Sequence, residues 1–298
     1  MSVTDDYVRI RPRLLRIAYA VLGSHAEAED VVADCWPKLV DANARSAVLD
    51  VEAWSVVAVS RTALDVLRSA RVRRESYVGP WLPEPLVARI DSQPNLDASD
   101  KVTLDESVGF ALMVVLETLS PAERTAWVLH DLFGVPFDEV AGIVGRTPAS
   151  VRQLAARARR HVHERSPRFE VSEHLHAEAV RAFTRAASTG KLAELLVTLD
   201  PDVILVSDGG GFVSAARRPI RGADHVARFL VGIAGKVGDG LRISPCRVNG
   251  LGGVALVVDE SLAAVVSFDV SETGRVRGIN MVRSPDKLRS VADDIWRR

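Results

Sequence analysis

The spacing of apolar positions predicts that the N-terminal half of the chain is built of helices. Apolar residues recur there every three or four positions, as amphipathic helices require. Pro37 is expected to kink or end the second helix, because proline lacks the amide that a helix interior uses, and a polar loop, Asp41–Asp50, follows. The predicted helices cover residues 5–22, 25–40, 51–75, 106–118, 121–132, 136–144 and 148–162. The stripe predicted to be buried in the third helix contains Trp54, Val57, Ala58, Leu64 and Leu67.

The last two of these helices predict a helix-turn-helix. Gly145 suits the left-handed conformation that ends a helix, Thr147 can cap the next one, and Pro148 suits its first position. Arg and Gln read base edges, and Arg also grips phosphates, so the second helix suits the DNA major groove. A helical hairpin with a solvated basic face is the competing interpretation. The side chains predicted to point outward are Ser150, Arg152, Gln153, Arg157, Arg159 and Arg160.

The pattern changes after Pro167. Helices at 172–188, 192–199 and 223–234 accompany short apolar runs, which together predict an α+β domain with one curved antiparallel sheet. Asp208-Gly209-Gly210-Gly211 lies between two predicted strands, where hairpin-turn chemistry is favoured over a close backbone approach. The predicted strands are 203–207, 212–220, 241–248, 254–258, 262–270 and 275–282.

Residues 77–105 are predicted to form a linker, because prolines interrupt any helix there. A linker of this length is longer than most connections within compact domains, which suggests that it has a role beyond joining two elements. Its segment YVGPWLPEPL carries Tyr77, Trp81, Leu82 and Leu86, which suggests docking onto another surface. Packing of these side chains on their own domain is an equally open alternative.

The net charge of −1 hides two basic clusters. Residues 146–168 contain seven arginines and one acidic residue, and residues 61–74 contain five arginines and one aspartate. Two such clusters beside a helix-turn-helix favour contacts with a polyanion over solvated helix faces.

The two cysteines give neither a disulfide framework nor a metal quartet, since Cys35 and Cys246 fall in different predicted domains. The N-terminus lacks a signal-peptide pattern, and no apolar run approaches the roughly 20 residues that span a bilayer. A cytoplasmic protein without membrane contact, metal or cofactor is expected.

Several segments of the chain resemble bacterial extracytoplasmic-function sigma factors. AEAEDVVADCW, VEAWSVVAVSRTALDVLRSARVRRE and LSPAERTAWVLHDLFGVPFDEVAGIVGRTPASVRQLAARARR carry this resemblance, and residues 173–283 resemble a SnoaL-like domain of the nuclear-transport-factor-like cone fold. WLPEP, SDGGG and SPDKL are similar to motifs of the actinobacterial group with that extension. The resemblance implies two all-α sigma domains, the second with the helix-turn-helix, followed by an α+β cone domain. The implied divisions are 1–76 for sigma region 2, 77–105 for a linker, 106–165 for sigma region 4, and 166–298 for a SnoaL-like regulatory domain.

The same resemblance implies that the protein binds core RNA polymerase and directs promoter-specific transcription initiation as a monomer when free. The surface matched to the coiled coil of the largest polymerase subunit contains Glu29, Asp30, Asp34 and Trp36. Residues matched to the promoter −10 element are Trp54, Arg61, Arg68, Arg71, Arg73 and Arg74, and those matched to the −35 element are Ser150, Arg152, Gln153, Arg157 and Arg160. The residues expected to dock the C-terminal domain on the sigma domains, and so to regulate them, are Trp81, Leu82, Pro83, Glu84, Pro85, Asp208, Gly209, Gly210 and Gly211.

Two other classes of protein remain as alternatives. A helix-turn-helix repressor or activator would bind operators as a dimer, but no dimer helix is apparent. If the protein were an enzyme, the C-terminal cone would carry the catalytic residues. The acid–base candidates there are Asp208, His225 and Asp269, but their spacing in the sequence does not indicate a base–acid pair. A small ligand in the cone is left open. The pairs His161/His163 and His174/His176 do not favour a metal, because residues two apart on a helix do not face each other.

Overall fold

The computed structural model describes residues 2–75, 77–90, 108–165, 171–292 and 295. These residues form two compact units. The N-terminal unit contains residues 2–75, 108 and 112–165, and the C-terminal unit contains residues 77–90, 109–111 and 171–292, so the helix at Phe110–Leu116 begins among residues grouped with the C-terminal unit and continues in the N-terminal unit. Within the described ranges, no helix is both long and apolar enough to cross a bilayer.

The N-terminal unit consists of helices, several of which begin or end at capping residues. Ser2 and Asp5 form a capping box at the start of the first helix, and Gly23 ends that helix with a φ of 74°. Ser120 and Glu123 form a second capping box at a later helix. The helices are α1 (Val3–Leu22), α2 (His25–Arg45), α3 (Val51–Glu75), α4 (Phe110–Leu116), α5 (Pro121–Trp127), α6 (Phe137–Val144) and α7 (Pro148–Arg165), with a π-helical turn at Val128–Leu132.

Pro37, which was expected to kink or end α2, does not end it, because the helix continues to Arg45. Ala33 and Pro37 are both exposed, so water can hydrate the carbonyl that the missing proline amide leaves unpaired. The polar loop is consequently shorter than expected and covers only residues 46–50. The Asn43 side chain closes it by accepting a hydrogen bond from the Val48 amide at 3.0 Å.

The stripe predicted for α3 is also wrong in part. Trp54, Val57 and Ala58 are only half-buried, and the side chains that pack inward are displaced by about one position. Ser55 and Ser60 are fully buried. Small serines permit close helix packing, so the periodicity of the large apolar residues alone gave the wrong face. The buried residues of α3 are Val51, Ser55, Val56, Val59, Ser60, Ala63, Leu64, Leu67 and Ala70.

The C-terminal unit is a curved sheet of seven described strands, covered by helices. Its core joins the inner faces of the helices to apolar strand residues such as Leu205, Val266 and Ile279. The helices are α8 (Glu173–Thr189), α9 (Leu192–Thr198), α10 (Ala223–Val237) and α11 (Pro285–Leu288). The strands are β1 (Val87–Ala88), β2 (Leu199–Asp208), β3 (Ile220–Arg221), β4 (Leu241–Val248), β5 (Leu251–Val258), β6 (Ser261–Val270) and β7 (Val276–Val282), in the spatial order β1-β4-β5-β6-β7-β2-β3.

The expectation of a wholly antiparallel sheet is wrong at one pair. Strands β2 and β7 are parallel, with Leu205 opposite Ile279. A strand predicted at 212–220 is likewise absent, since only Ile220 and Arg221 pair with β2. Positive φ angles at Gly210 and Gly211 turn the chain away from the sheet, and the following residues form a loop rather than one arm of a hairpin.

Candidate nucleic-acid interface and linker anchor

The helix-turn-helix forms where the sequence predicted it. Gly145 ends α6 with a φ of 73°, and the Thr147 hydroxyl accepts a hydrogen bond from the Ser150 amide at 3.3 Å at the start of α7. Val151, Leu154, Ala155 and Ala158 of α7 are buried. The turn therefore fixes α7 with its polar face outward.

The side chains expected to read the −35 element lie on that outward face. Arg152, Gln153, Arg157 and Arg160 are exposed, and Ser150 is half-buried. Two alanines, Ala149 and Ala156, are exposed among them. Because alanine adds almost no bulk, the backbone of α7 can approach a surface closely there.

Contacts with neighbouring helices hold part of this face in place. Arg157 lies 3.6 Å from the Glu123 carboxylate, and the Arg152 guanidinium lies 5.5 Å from the centre of the Phe137 ring. Burial by itself would raise the pKa of Glu123, but hydrogen bonds from Ser120 and the positive charge of Arg157 lower it overall. Arg159, which was predicted to point outward but was not assigned to the −35 element, binds Asp131 through its Nε at 2.8 Å.

The residues expected at the −10 element are placed less uniformly. Trp54 is half-buried on α3, and Arg68 pairs with Asp65 at 3.3 Å. Arg61 donates from Nη2 to the Gly142 carbonyl of α6 at 3.1 Å, which the sequence did not anticipate. Arg71, Arg73 and Arg74 belong to α3, but their side chains lie outside the described residues.

The acidic face of α2 is present as expected. Glu29, Asp30 and Asp34 are exposed along one side of the helix. Trp36 is half-buried and packs against the Tyr7 ring with the ring centres 5.1 Å apart.

Arg124 joins the two halves of the N-terminal unit from a fully buried position. Its Nε donates to the Ala20 carbonyl at the end of α1 at 3.0 Å, and its Nη1 pairs with Glu117 at 2.6 Å. A cation there complements the negative end of the helix dipole. Arg13 makes a second link, from Nη2 to the Phe133 carbonyl at 3.0 Å.

In the C-terminal unit, the linker segment docks on the SDGGG motif. The Asp208 carboxylate is fully buried and accepts from the Leu82 amide at 2.8 Å, the Tyr77 hydroxyl at 2.5 Å and the Gly210 amide at 3.0 Å. The linker segment and the glycine motif were predicted from the sequence to belong to one regulatory set, and in the structure they are in direct contact. Leu82, Pro83, Glu84 and Pro85 are buried, Trp81 is half-buried, Gly209 is buried, and Gly210 and Gly211 are progressively more exposed.

We call the contacts of Asp208 with Tyr77, Leu82 and Gly210 the linker anchor. Lys287 completes this anchor, and the sequence did not predict it as a site residue. Its Nζ binds Asp208 Oδ2 at 2.6 Å and the Leu82 carbonyl at 2.5 Å, and it lies 3.2 Å from the centre of the Trp81 ring. A buried cation on an aromatic face, paired with a buried carboxylate, is a strong local interaction. Lys287 belongs to the SPDKL segment, so the motif resemblance was the available signal.

The rest of the segment joins the sheet. Strand β1 pairs with β4, with Val87 opposite Val248. The Leu86 amide donates to Asn249 Oδ1 at 3.1 Å, and the Asn249 amide donates back to the Leu86 carbonyl at 2.8 Å. Ser290 donates to Glu84 at 2.8 Å. Burial, followed by the neighbouring Asp208 carboxylate, raises the pKa of Tyr77. Residues 77–88 are therefore a structural part of the C-terminal unit.

The three acid–base candidates do not assemble into a catalytic group. Asp208 holds the anchor, Asp269 binds Arg277 at 2.9 Å, and exposed His225 contacts the Arg221 carbonyl at 3.1 Å. None of the three is among the described residues that line the apolar cavity of the cone.

The histidine pairs are also dispersed. His161, His163 and His174 are exposed, whereas His176 is buried with Nε2 3.1 Å from the Phe268 carbonyl. Across the described residues, no group of three His, Cys, Asp or Glu side chains has the arrangement of a metal site.

Comparison with known proteins identifies both helical regions. Residues 7–73 match the family Sigma-70 region 2, and residues 109–162 match the family Sigma-70, region 4. These two regions in this order, the second carrying the helix-turn-helix, define a sigma factor.

Whole-chain relatives narrow the class. The chain is 40% identical over 238 residues to ECF RNA polymerase sigma factor SigJ of Mycobacterium tuberculosis, covering 80% of this chain and 75% of that protein. It is 33% identical to the probable ECF RNA polymerase sigma factor SigI of the same species, covering 93% and 92%. The crystal structure of M. tuberculosis SigJ superposes with a TM-score of 0.77 at 34% identity, covering 97% of this chain and 98% of that one. The chain belongs to the extracytoplasmic-function sigma factors, which direct promoter-specific transcription initiation, and its C-terminal helix-and-sheet domain is a SnoaL-like extension.

Proposed function

We propose that α7 reads the promoter −35 element through its outward face. The observation that carries this proposal is the arrangement of that face about the helix axis. At about 100° per residue, Gln153 and Arg160 lie opposite the buried stripe, and Arg152 and Arg157 flank them. The exposed alanines, Ala149 and Ala156, let the helix enter the groove.

The contacts of these side chains suggest a division of work. Residues near the start of a recognition helix contact base edges, which assigns Ser150, Arg152 and Gln153 to base reading. Arg157 is held by Glu123 and Arg160 lies a turn further along, so both suit phosphate contacts.

Selection among −35 variants by the polymerase holoenzyme tests this division. Gln153→Ala is expected to relax the preference at one base position and to cost about 1–3 kcal/mol, whereas Arg160→Ala weakens all sequences alike. Arg185→Ala, which removes an exposed arginine on α8, is the matched control. Unchanged preference and affinity in both α7 variants would reject the assignment.

For the other contacts, we propose that the acidic face of α2 docks on core polymerase and that α3 contacts the −10 element. Arg61 donates from Nη2 to the Gly142 carbonyl, and we expect this contact to break, by separation of α6 from α3, when the guanidinium contacts DNA. Binding to polymerase is expected to supply that separation. Asp30→Arg should weaken the complex with core polymerase, while Asp239→Arg, a reversal in the cone domain, should not. Because this activity acts on polymerase and chromosomal DNA, we place it in the cytoplasm.

We further propose that the C-terminal domain regulates transcription by holding the linker. Residues 77–88 are fixed to the sheet and to Asp208, so less chain remains free between regions 2 and 4. A tethered regulator acts at high effective concentration, and it shifts activity by favouring one arrangement of the two regions.

In vitro transcription with core polymerase tests the regulatory role. Lys287→Met is expected to change promoter activity, because it removes the cation from the anchor. Lys236→Met, which alters an exposed lysine of α10, is the control. Unchanged transcription by a variant whose linker is released, as judged by hydrogen exchange at residues 77–90, would refute regulation through the anchor.

A further inference from the structure

The C-terminal unit contains a partly open cavity of about 100 Å³, lined by residues of its helices and of its sheet. Its wall is almost entirely hydrocarbon, with Phe183, Leu195, Leu230, Ile243 and Met281 among the lining side chains. A water molecule needs about 10–15 Å³ of such volume. The space therefore suits an occupant of roughly seven to ten non-hydrogen atoms.

Two polar side chains interrupt the described lining, Thr184 and Arg283. The Thr184 hydroxyl donates to the Val180 carbonyl within its own helix at 2.7 Å, so it is already committed. Among the described lining residues, Arg283 alone carries a charge.

The Arg283 guanidinium is half-buried and incompletely paired. Its Nη1 donates to the Ser214 carbonyl in an exposed hydrogen bond, and among the described residues Arg283 forms no ion pair. A guanidinium has five N–H donors in a planar fork, so most of its hydrogen-bonding capacity remains available. Burial lowers the pKa of Arg283, as expected for a cation taken from water without a counterion.

We propose that this cavity binds a small amphipathic monoanion, whose apolar body fills the hydrocarbon space and whose carboxylate pairs with Arg283. A carboxylate matches the guanidinium fork with two parallel hydrogen bonds. A neutral hydrocarbon would fill the same space and leave the cation unpaired. The site is independent of the DNA and polymerase contacts proposed above.

Direct binding to the full-length chain tests the proposal without transcription. The probes are benzoate and its neutral isostere nitrobenzene. Each has about nine non-hydrogen atoms, which is within the range that the cavity volume allows. Isothermal titration and ligand-observed NMR are expected to show benzoate bound at least about tenfold more tightly than nitrobenzene, because a charged hydrogen-bonded pair is lost in the isostere.

Two kinds of variant separate charge from volume. Arg283→Met is expected to weaken benzoate binding about tenfold or more and to leave nitrobenzene unaffected, while Arg275→Met, an exposed arginine on the β6–β7 turn, changes neither. Ala264→Leu places a larger side chain in the cavity and should abolish both interactions. If that variant melts early, Ala234→Leu on the half-buried face of α10 fills the same space.

Four results would overturn the proposal. They are equal binding of benzoate and nitrobenzene, unchanged benzoate binding in folded Arg283→Met, the absence of benzoate binding to the wild-type chain at millimolar concentration, and benzoate binding that survives filling of the cavity.

Discussion

Replacing Asp208 by asparagine tests the linker anchor at its centre. The Asp208 side chain is fully buried and accepts from Tyr77, Leu82, Gly210 and Lys287. Asp208→Asn keeps the shape of the side chain but removes its charge and turns one acceptor into a donor. The change therefore addresses the electrostatics of the anchor with little change in packing.

The expected cost follows from the partner that is left behind. Lys287 is buried, and breaking a buried ion pair by removing one member costs about 3–5 kcal/mol. If the segment undocks and lets water reach Lys287, the loss appears as linker release. A destabilisation of this size corresponds to roughly a hundred- to several-thousand-fold shift in the docking equilibrium.

The reverse change is expected to cost less. In Lys287→Met, the Asp208 carboxylate keeps the Tyr77 hydroxyl and the amides of Leu82 and Gly210 as donors. Hydrogen bonds from two or three donors stabilise a buried carboxylate. We therefore expect Asp208→Asn to be more damaging than Lys287→Met, by about 1–2 kcal/mol from the lost charged hydrogen bonds.

Amide hydrogen exchange and urea unfolding measure both effects. Exchange at the Leu82 amide should rise most in Asp208→Asn, because Asp208 is its acceptor. Asp224→Asn, which disrupts an exposed pair with Arg228, is the matched control and should stay within about 0.5 kcal/mol of wild type. If Asp208→Asn is no worse than this control, or no worse than Lys287→Met, then the buried charge does not hold the linker.

Further predictions concern backbone, pH and thiol chemistry. Gly145→Ala should cost about 1 kcal/mol, because alanine is strained at a φ of 73° while its added carbon meets open space. Gly23→Ala should cost more in the same thermal melts, since its added carbon would clash with the Glu117 carboxylate that pairs with Arg124; equal costs would argue against that packing. The lowered pKa of Glu123 stabilises the folded state above the ordinary pKa of a glutamate, and this stability is lost as the pH falls through the folded-state pKa. The urea concentration at the unfolding midpoint should therefore decrease as the pH is lowered below about 4.5, and it should decrease less in Glu123→Gln. Parallel pH profiles of the two proteins would contradict this. Burial raises the pKa of Cys246 to about 12, so iodoacetamide at pH 8 should label it only after unfolding, and labelling of the native chain would disagree with its burial.

Local signals explain why much of the N-terminal unit was predictable. Gly145, Thr147 and Pro148 set the turn of the helix-turn-helix within four residues of sequence, and the periodicity of α7 fixed its outward face. The polar loop before α3 was too long in the prediction because helix propensity and the Asn43 cap outweighed the polar composition.

Long-range pairing explains most of what the sequence did not show. Asp208 and Lys287 are 79 positions apart, and only folding reveals their ion pair. The parallel pairing of β2 and β7 leaves no local trace, because alternation within a strand is the same in either direction. The packing of Arg61 on Gly142 joins residues 81 positions apart. The roles assigned to the DNA- and polymerase-facing residues stay predictions.

The chain order of the anchor has a consequence during synthesis. The Leu82 carbonyl finds its Lys287 partner 205 residues later. At translation rates of about 5–20 residues per second, regions 2 and 4 leave the ribosome and the segment waits roughly 10–40 s for its complete binding surface. Asp208 and Asn249, which accept from the Leu82 and Leu86 amides, follow those residues by 126 and 163 positions, so Lys287 is the last of these partners to be synthesised. A nascent chain therefore passes through a period in which its sigma regions are complete and its linker is unanchored.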